Sequence, residues 1–239
     1  MKSNLYILFG LIILIGVSCK KDKETSSSTF GVYTDYYPLK VGSYHSYLVD
    51  SIYYNDFTGE TEVYQYQLKE TITETFLDES GQTNYRMERF FKLKSSPSAS
   101  YDTIPWAFKN VWFVTLTSFS IQRVEENVRF VSLTNPIKDG ISWDGNDFNI
   151  LSKYNYTYDS LGHTFLGYSN AVKVVQLDLE NLIERQYYEQ IFAKNVGLIK
   201  YQYTDVQSQN ISDVAVPILD RIEKGILFTK VLFDYNIPD

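Results

Sequence analysis

Apolar and polar residues alternate one by one along much of this chain, and that alternation constrains the fold more than any other feature. In YRMERFFKLK, residues 85–94, apolar residues fall on one face and charged residues on the other, with Arg89 as the exception. The same period recurs in VYQYQLKETITETF, residues 63–76, and in KVVQLDLE, residues 173–180. A period of two is typical of a β-strand with one face in a core and one in water. The sequence therefore predicts a mainly β fold.

Clusters of Gly, Pro, Asn, Asp and Ser interrupt the alternating segments. They lie at residues 55–59, 78–81, 95–100, 134–140, 144–149 and 160–162. Such residues favour tight turns, and closely spaced turns between alternating segments indicate antiparallel strands. Residues 214–224 come nearest to a helical pattern, but Pro217 opposes a helix there. We expect roughly nine to twelve strands in a single antiparallel, strongly curved sheet, a half-barrel or calycin-like, with little helix.

An apolar segment at residues 5–17 follows Lys2, which is the only charged residue before Cys19. The segment is shorter than the about 20 residues that a transmembrane helix needs. It matches the apolar region of a secretory signal, which is about 7–15 residues long and precedes a small-residue cleavage site. A short membrane anchor and a plain secretory signal cut after Ser18 are the alternatives.

Val17, Ser18 and Cys19 resemble the lipobox at which the signals of bacterial lipoproteins are cut. The resemblance implies that residues 1–18 are removed and that Cys19, the only cysteine, carries a diacylglyceryl group and palmitate-like acyl chains. Gly16 departs from the family pattern, which usually has Leu, Val or Ile there; this chain has Ile15 one place earlier. Several acyl chains anchor a protein firmly, whereas one holds it only reversibly. We therefore predict a protein of the cell envelope, anchored to the outer membrane through Cys19.

Residues 20–29 are charged and then rich in Ser and Thr, with no apolar side chain to bury. Such a segment gains too little from burial to offset the entropy of ordering. We expect residues 19–31 to form a flexible tether that spans roughly 20 Å. Its opening, SCKKDKE, also resembles the start of lipoproteins from the Bacteroidota group, in which charge after the cysteine marks export to the cell surface. Because the charges here have both signs, the periplasmic and the surface face both stay open.

The charge balance limits the classes of partner. The chain has 29 acidic and 22 basic residues and a net charge of −7, which becomes −8 when Lys2 leaves with the signal. An acidic chain without a basic block does not fit nucleic-acid binding, which relies on Lys and Arg to neutralise phosphates. A single cysteine allows no internal disulfide, so packing must hold the fold. Residues 32–239 are long enough for one core, and we expect them to form a single β domain.

The sequence PLKVG at residues 38–42 recurs as PIKDG at residues 136–140, an offset of 98 residues. Each copy predicts a turn that launches a strand, because Pro cannot join a ladder and Gly permits a positive φ. His45 and Trp143 correspond under the same offset. The echo fits two similar β halves, and it also fits two unrelated turns that use the same residues.

Three phrases, YYPLKVGSYHSYLVD, NPIKDGISWDGNDFN and IFAKNVGLIKYQY, resemble phrases of Bacteroidota outer-membrane lipoproteins that have a β-rich domain. His45 stands where that family usually has an aromatic residue, often Trp. The resemblance implies a strongly curved sheet or half-barrel, similar in outline to lipoprotein carriers and calycins. It implies no catalytic motif.

The sequence holds few candidates for chemistry. It contains no Walker loop, G-x-S-x-G, H-E-x-x-H or paired C-x-x-C motif, and its two histidines and one cysteine are too few for a zinc site. Asp144, Asn146, Asp147 and Asn149 offer oxygens that suit calcium, although the same residues make ordinary Asx turns. We expect no cofactor and no catalytic residue, with this set as the only metal candidate.

DTI at residues 102–104 and DSL at residues 159–161 resemble the O-glycosylation acceptor of secreted Bacteroidota proteins. The resemblance implies a glycan on Thr103 and another on Ser160, each in an exposed loop.

These features favour a lipid-anchored cell-envelope protein with a non-enzymatic β domain that binds an envelope protein or glycan, or that supports envelope structure. The alternative is a carrier that holds a lipid or another hydrophobic ligand in the cavity of the curved sheet. A glycan-acting hydrolase is the second alternative, and it needs two carboxylates about 5–9.5 Å apart. A lined cavity would favour the carrier, and converging carboxylates would favour the hydrolase.

Overall fold

The computed structural model describes residues 32–96, 98–210 and 215–239. Within these ranges, twelve strands form one antiparallel sheet that is nearly closed and barrel-like. The prediction of a single, strongly curved antiparallel sheet with little helix is confirmed. The predicted signal and tether, residues 1–31, lie outside the described residues. No helix in the described part of the chain has the length and the apolar character needed to cross a membrane.

The strands follow the order of the chain. They are β1 Tyr44–Tyr54, β2 Thr61–Leu77, β3 Thr83–Leu93, β4 Ala107–Leu116, β5 Ser120–Glu125, β6 Val128–Thr134, β7 Ser142–Asp144, β8 Asn155–Phe165, β9 Tyr168–Glu180, β10 Glu184–Ala193, β11 Gly197–Gln207 and β12 Lys224–Asn236. Short 3-10 helices lie at Tyr33–Tyr36, Tyr101–Thr103 and Ile218–Asp220. The last of these begins directly after Pro217 and is the only helical turn in the described part of residues 214–224.

Two up-and-down series of strands, β1–β6 and β7–β12, make up the sheet. They join where β1 pairs with β12, from Tyr44↔Asn236 to Tyr54↔Gly225. Their outer strands, β6 and β7, face each other across what we call the β6–β7 seam. There the Val131 N–H donates to the Gly145 carbonyl oxygen at 2.9 Å, and the Trp143 indole N–H donates to the Val131 carbonyl oxygen at 2.9 Å. These contacts nearly close the barrel.

The PLKVG and PIKDG sequences form equivalent turns. Their glycines have a positive φ, 89° at Gly42 and 75° at Gly140, and the next N–H donates to the carbonyl oxygen of the motif's lysine at 3.0 and 3.1 Å. Each glycine N–H also donates to the neighbouring strand at 2.8 Å, to Ile72 in β2 and to Tyr158 in β8. Each turn therefore launches its own series, and of the two interpretations the structure matches the one with similar β halves.

The apolar core fills one end of the barrel. Antiparallel order places the starts of odd-numbered strands and the ends of even-numbered strands at the same end, and most core residues come from these positions. Tyr156 and Tyr158, near the start of β8, are exceptions. Tyr36 and Ile137, from the segments before β1 and β7, are fully buried and cover this end. The core also includes Leu68, Ile121, Leu133, Val172, Val174 and Phe192. Burying one such side chain contributes about 1.5–3 kcal/mol.

The turn predicted at residues 160–162 is wrong, because these residues lie inside β8. The register between β8 and β9 shifts after Tyr158 and again after Leu161, so the strand is bulged. Gly162 has a φ of 75°, a backbone conformation that such irregularities use. The chain reverses further on, at Leu166 and Gly167. Turn-forming residues thus mark a bulge here instead of a reversal.

Candidate functional site

A cavity of about 170 Å³ lies inside the barrel, beyond the apolar core. The first series of strands contributes Arg89, Trp112, Arg123, Glu125, Phe130 and Ser132 to its lining. The second series contributes Tyr156, Gln176, Gln190, Leu198, Tyr201, Phe228 and Lys230. An apolar cavity of about 150 Å³ holds a benzene molecule, so this cavity has room for about one six-membered ring.

A buried carboxylate binds two of the cations. Glu70 Oε1 accepts a hydrogen bond from Arg89 Nε at 3.2 Å and another from Lys230 Nζ at 3.1 Å. All three side chains are buried: Glu70 is 5% exposed, Arg89 7% and Lys230 4%. They come from β2, β3 and β12, and β1 lies between β2 and β12 in the sheet. Removing charges from water costs several kcal/mol per ion, so such a cluster persists only where the charges bind one another.

Aromatic and amide groups hold the Arg89 guanidinium in place. Its Nη1 donates to Asn110 Oδ1 at 3.3 Å, and its central carbon lies 3.4 Å from the centre of the Trp112 ring. The Trp112 indole N–H donates to Glu126 Oε1 at 3.2 Å, and the Asn110 amide donates to the same oxygen. Because these contacts leave the guanidinium little freedom, the wall formed by β3 and β4 is preorganised.

Arg123 forms a second ion pair at the rim of the barrel. Its Nε donates to Glu125 Oε1, and its guanidinium carbon lies 5.3 Å from the centre of the Trp112 ring. The Glu125 side chain is 22% exposed, at the end of β5 where the strand turns towards β6. The cavity therefore approaches solvent on the side of the short strands β5 and β6.

The charged groups shift one another's pKa values. Burial raises the pKa of the Glu70 carboxyl, but Lys230, Arg89 and Arg123 outweigh burial and hold that pKa at about 2. Burial lowers the pKa of the Lys230 amine to about 8; Glu70 opposes this shift, and Arg89 and Arg123 add to it. Near neutral pH both groups are therefore charged, although the surroundings disfavour the Lys230 ammonium.

One positive charge is left over at the cavity. Among the described side chains that line it or pair with a lining cation, the cations are Arg89, Arg123 and Lys230, and the carboxylates are Glu70 and Glu125. Each cation has a carboxylate partner, but Arg89 and Lys230 share one, and unbalanced buried charge is costly. The arrangement therefore favours the entry of one negative charge.

Gln190 lines the same cavity and carries a buried oxygen atom that has no hydrogen-bond partner in the described part of the chain. Its side chain is 1% exposed, and its Oε1 has no hydrogen-bond partner among the described residues. Most buried polar atoms in proteins have a partner, and leaving one without costs about 1–3 kcal/mol. A ligand that donates a hydrogen bond to Oε1 would satisfy it.

The structure places the four calcium-candidate residues in the turn after β7. Asp144 Oδ1 accepts hydrogen bonds from the backbone N–H groups of Asn146 and Tyr154, at 2.9 and 3.2 Å. The Asn149 amide donates to the Arg129 carbonyl oxygen at 2.8 Å, and Asp147 is exposed. These are Asx-turn contacts that tie the turn to the β6–β7 seam. In the described ranges, no three His, Cys, Asp or Glu side chains are grouped to hold a metal ion.

The remaining candidate residues lie apart from the cavity. Thr103 is exposed in the 3-10 helix Tyr101–Thr103, and its hydroxyl donates to the Ser100 carbonyl oxygen at 3.1 Å. Ser160 lies within β8, so the prediction that it occupies a loop is wrong; its hydroxyl donates to Asp159 Oδ2 at 3.1 Å. Cys19, the predicted lipidation site, is outside the described residues.

Sequence reasoning missed the buried charges, although the alternation held a signal for them. Arg89 was the exception on the apolar face of its segment, and it proves to be the guanidinium over Trp112. Glu70 stands between Leu68 and Ile72 in the core-facing phase of β2. A charged residue at a core-facing position is expected to bind another charge or a ligand, and this criterion would have selected both.

Few known proteins match this chain. No protein-family model matches the chain, and no curated protein matches it. The chain is similar to the crystal structure of a Bacteroides fragilis protein that is described as exported and as having a YmcC-like fold. The TM-score is 0.44 at 10% sequence identity, and the similarity covers 84% of this chain and 99% of that chain.

Proposed function

We propose that this protein is a lipid-anchored, non-enzymatic binding protein of the cell envelope, and that its barrel cavity takes a small ligand with one anionic group. The observation that carries the proposal is the single positive charge in excess among Arg89, Arg123, Lys230, Glu70 and Glu125. An anion in the cavity would balance the excess positive charge and form charge-assisted hydrogen bonds, which contribute about 1.5–3 kcal/mol each.

The lining supports an anionic ligand over a hydrophobic one. A carrier of acyl chains needs apolar walls, whereas guanidinium, ammonium and amide groups line much of this cavity. Placing an acyl chain in the cavity would leave its excess positive charge unbalanced.

The electrostatics support binding over hydrolysis. A general acid works best with a pKa near the operating pH, and glycoside hydrolysis uses a carboxyl group whose pKa is raised. Lys230 and Arg89 hold the pKa of Glu70 at about 2 against the effect of burial, so this carboxyl has no proton to give at neutral pH.

Anion binding can be tested by titration calorimetry on the full chain in detergent, with acetate and cyclohexanecarboxylate as probes. We expect saturable binding of cyclohexanecarboxylate to the wild type and at least a tenfold weaker affinity in Lys230→Met. The matched control is Lys153→Met, at an exposed position between β7 and β8, which should bind as the wild type does. Equal affinity in Lys230→Met, with a native circular dichroism spectrum, would overturn the proposal.

The membrane anchor has its own test, because it rests on residues 5–19 of the sequence. In a bacterial host, the wild type should incorporate a palmitate analogue and sediment with membranes, and Cys19→Ser should do neither. Equal sedimentation of the two proteins would contradict a lipid anchor at Cys19.

A further inference from the structure

We infer that the ligand is an acidic sugar: one six-membered ring with a single carboxylate and several hydroxyl groups, either free or as the end residue of a glycan. This inference rests on the proposed anion site and names the ligand class of that same cavity. Three independent properties of the cavity lead to it: its charge, its unmet acceptor and its walls.

The excess positive charge at the cavity favours a ligand with a single negative charge. One positive charge is in excess at the cavity, so one carboxylate balances it. A phosphate group carries about −1.5 to −2 charges at neutral pH and would leave a buried negative charge in excess. A neutral sugar would leave the excess positive charge unbalanced. A ligand with one carboxylate is the best match to this set of charges.

The acceptor without a partner, Gln190 Oε1, favours a ligand that carries hydroxyl groups. Gln190 Oε1 is buried without a partner in the described structure, and it needs a hydrogen-bond donor, which a carboxylate cannot supply. Gln176, 7% exposed, adds a second amide to the lining. An amide donates and accepts, and a hydroxyl group does the same, so sugar hydroxyls complement this wall.

Strand pairing places the Gln190 amide and the Lys230 ammonium in one row of side chains across the sheet. Gln190 on β10 pairs with Tyr201 on β11, and Tyr201 pairs with Lys230 on β12. These side chains therefore stand in one row, and two strand spacings of about 4.8 Å separate Gln190 from Lys230 at the backbone. A single hydroxylated ring that lies over Tyr201 can present its carboxylate to Lys230 and a hydroxyl to Gln190.

The walls and the volume suit a ring. Trp112, Tyr201 and Phe228 line the cavity, and the rings of the last two lie 5.8 Å apart. Apolar faces such as these cover the C–H faces of a sugar, while the few polar groups set its orientation. The volume of about 170 Å³ is close to that of a cavity that holds benzene, so at most one ring enters and a longer glycan would insert only its end residue.

The test is a calorimetric panel on the full chain in detergent: glucuronate, galacturonate, glucose, cyclohexanecarboxylate, inorganic phosphate and trigalacturonate. We expect one of the two uronates to bind at least tenfold more tightly than both glucose and cyclohexanecarboxylate. Trigalacturonate that binds more tightly than galacturonate would support the inference with a glycan end as the source, and equal or weaker binding would support it with a free sugar acid.

The panel separates the two proposals. If cyclohexanecarboxylate binds as tightly as both uronates, the anion site stands and the acidic sugar is overturned. If phosphate binds most tightly, the acidic sugar is overturned as well. If none of the anions binds, both proposals fail.

Gln190→Leu gives an internal control for the hydroxyl contact. Its affinity for the uronate should fall about tenfold, to the level of cyclohexanecarboxylate, while its affinity for cyclohexanecarboxylate stays unchanged. The matched variant Gln67→Leu, on the outer face of β2, should bind both as the wild type does. Unchanged uronate affinity in Gln190→Leu would overturn the inference.

Discussion

The two series of strands share a turn and a strand order, yet they line the cavity with different chemistry. In the first series, His45 pairs with Glu70 across β1 and β2. In the second, the corresponding Trp143 pairs with Tyr156 across β7 and β8. One scaffold position therefore holds the carboxylate that binds Arg89 in one half and an aromatic ring in the other. The difference indicates that the backbone repeat sets the shape of the barrel, while single substitutions on it decide which wall is charged.

The charged wall, which contains Glu70 and Arg89, should be more sensitive to substitution than the aromatic wall, which contains Trp143 and Tyr156. Glu70→Gln is expected to have the largest effect on stability. A carboxyl whose pKa falls from 4.5 in the unfolded chain to about 2 in the folded protein contributes roughly 3 kcal/mol above pH 4.5. Because the folded-state pKa is lowered, this contribution is present at neutral pH and is lost as the pH falls from 4.5 through 2. Urea unfolding at pH 7 should show the loss.

Glu88→Gln is the control for that variant, because Glu88 forms a partly exposed ion pair with Arg86 at 3.1 Å. Exposed pairs contribute little, so we expect a change within about 0.5 kcal/mol. Similar losses in Glu70→Gln and Glu88→Gln would contradict the special role of the buried cluster.

The aromatic wall can be broken at Gly145. A Cβ atom there would lie 2.3 Å from the Tyr156 ring, so Gly145→Ala should lower the free energy of unfolding by about 1–3 kcal/mol through overpacking. Ser142→Ala, at an exposed position in β7 three residues earlier, should change it by less than about 0.5 kcal/mol. The Gly145→Ala/Tyr156→Leu double variant should lose less than the sum of its single variants, and strict additivity would contradict the clash.

Two buried glutamines, one in each series of strands, are expected to show the smallest difference in stability when each is replaced by leucine. On β5, Gln122 accepts from Arg129 at 2.9 Å and donates to Ser120 at 3.3 Å, whereas Oε1 of Gln190 on β10 lacks a partner among the described atoms. Gln122→Leu should therefore cost about 1–2 kcal/mol and Gln190→Leu should cost none, because only the first breaks hydrogen bonds. Thermal unfolding without ligand compares them, and an equal loss in both would contradict the assignment of Gln190 to ligand binding.

The fold was predictable because alternation and turn chemistry are local. Alternate residues of a strand share a face, so residues 85–94 and 173–180 could be assigned to strands without knowing their neighbours. The alternation did not give the buried face of residues 173–180, where Val174 and Gln176 are buried and Leu179 is exposed. The reversal predicted at residues 160–162 failed for the opposite reason: glycine serves bulges as well as turns, and only pairing with β9 distinguishes them.

The cavity could not be predicted, because its groups meet only through long-range pairing. Lys230 reaches Glu70 from 160 residues away, and no local pattern joins β12 to β1. The sequence does mark Arg89 and Glu70 as charges on core-facing positions. It does not show that Arg123 and Lys230 face the same space, and the excess charge depends on all of these groups.

The most direct test of the account is the pKa of Lys230, measured by NMR on the full chain labelled with ¹³C at the lysine Cε and assigned by comparison with Lys230→Met. Glu70, Arg89 and Arg123 face this amine, and the Tyr47 ring lies 4.3 Å from it. We predict a pKa of about 8 without ligand and a higher value in saturating glucuronate or galacturonate, because a neighbouring carboxylate favours the ammonium. The same pKa with and without the uronate would contradict it.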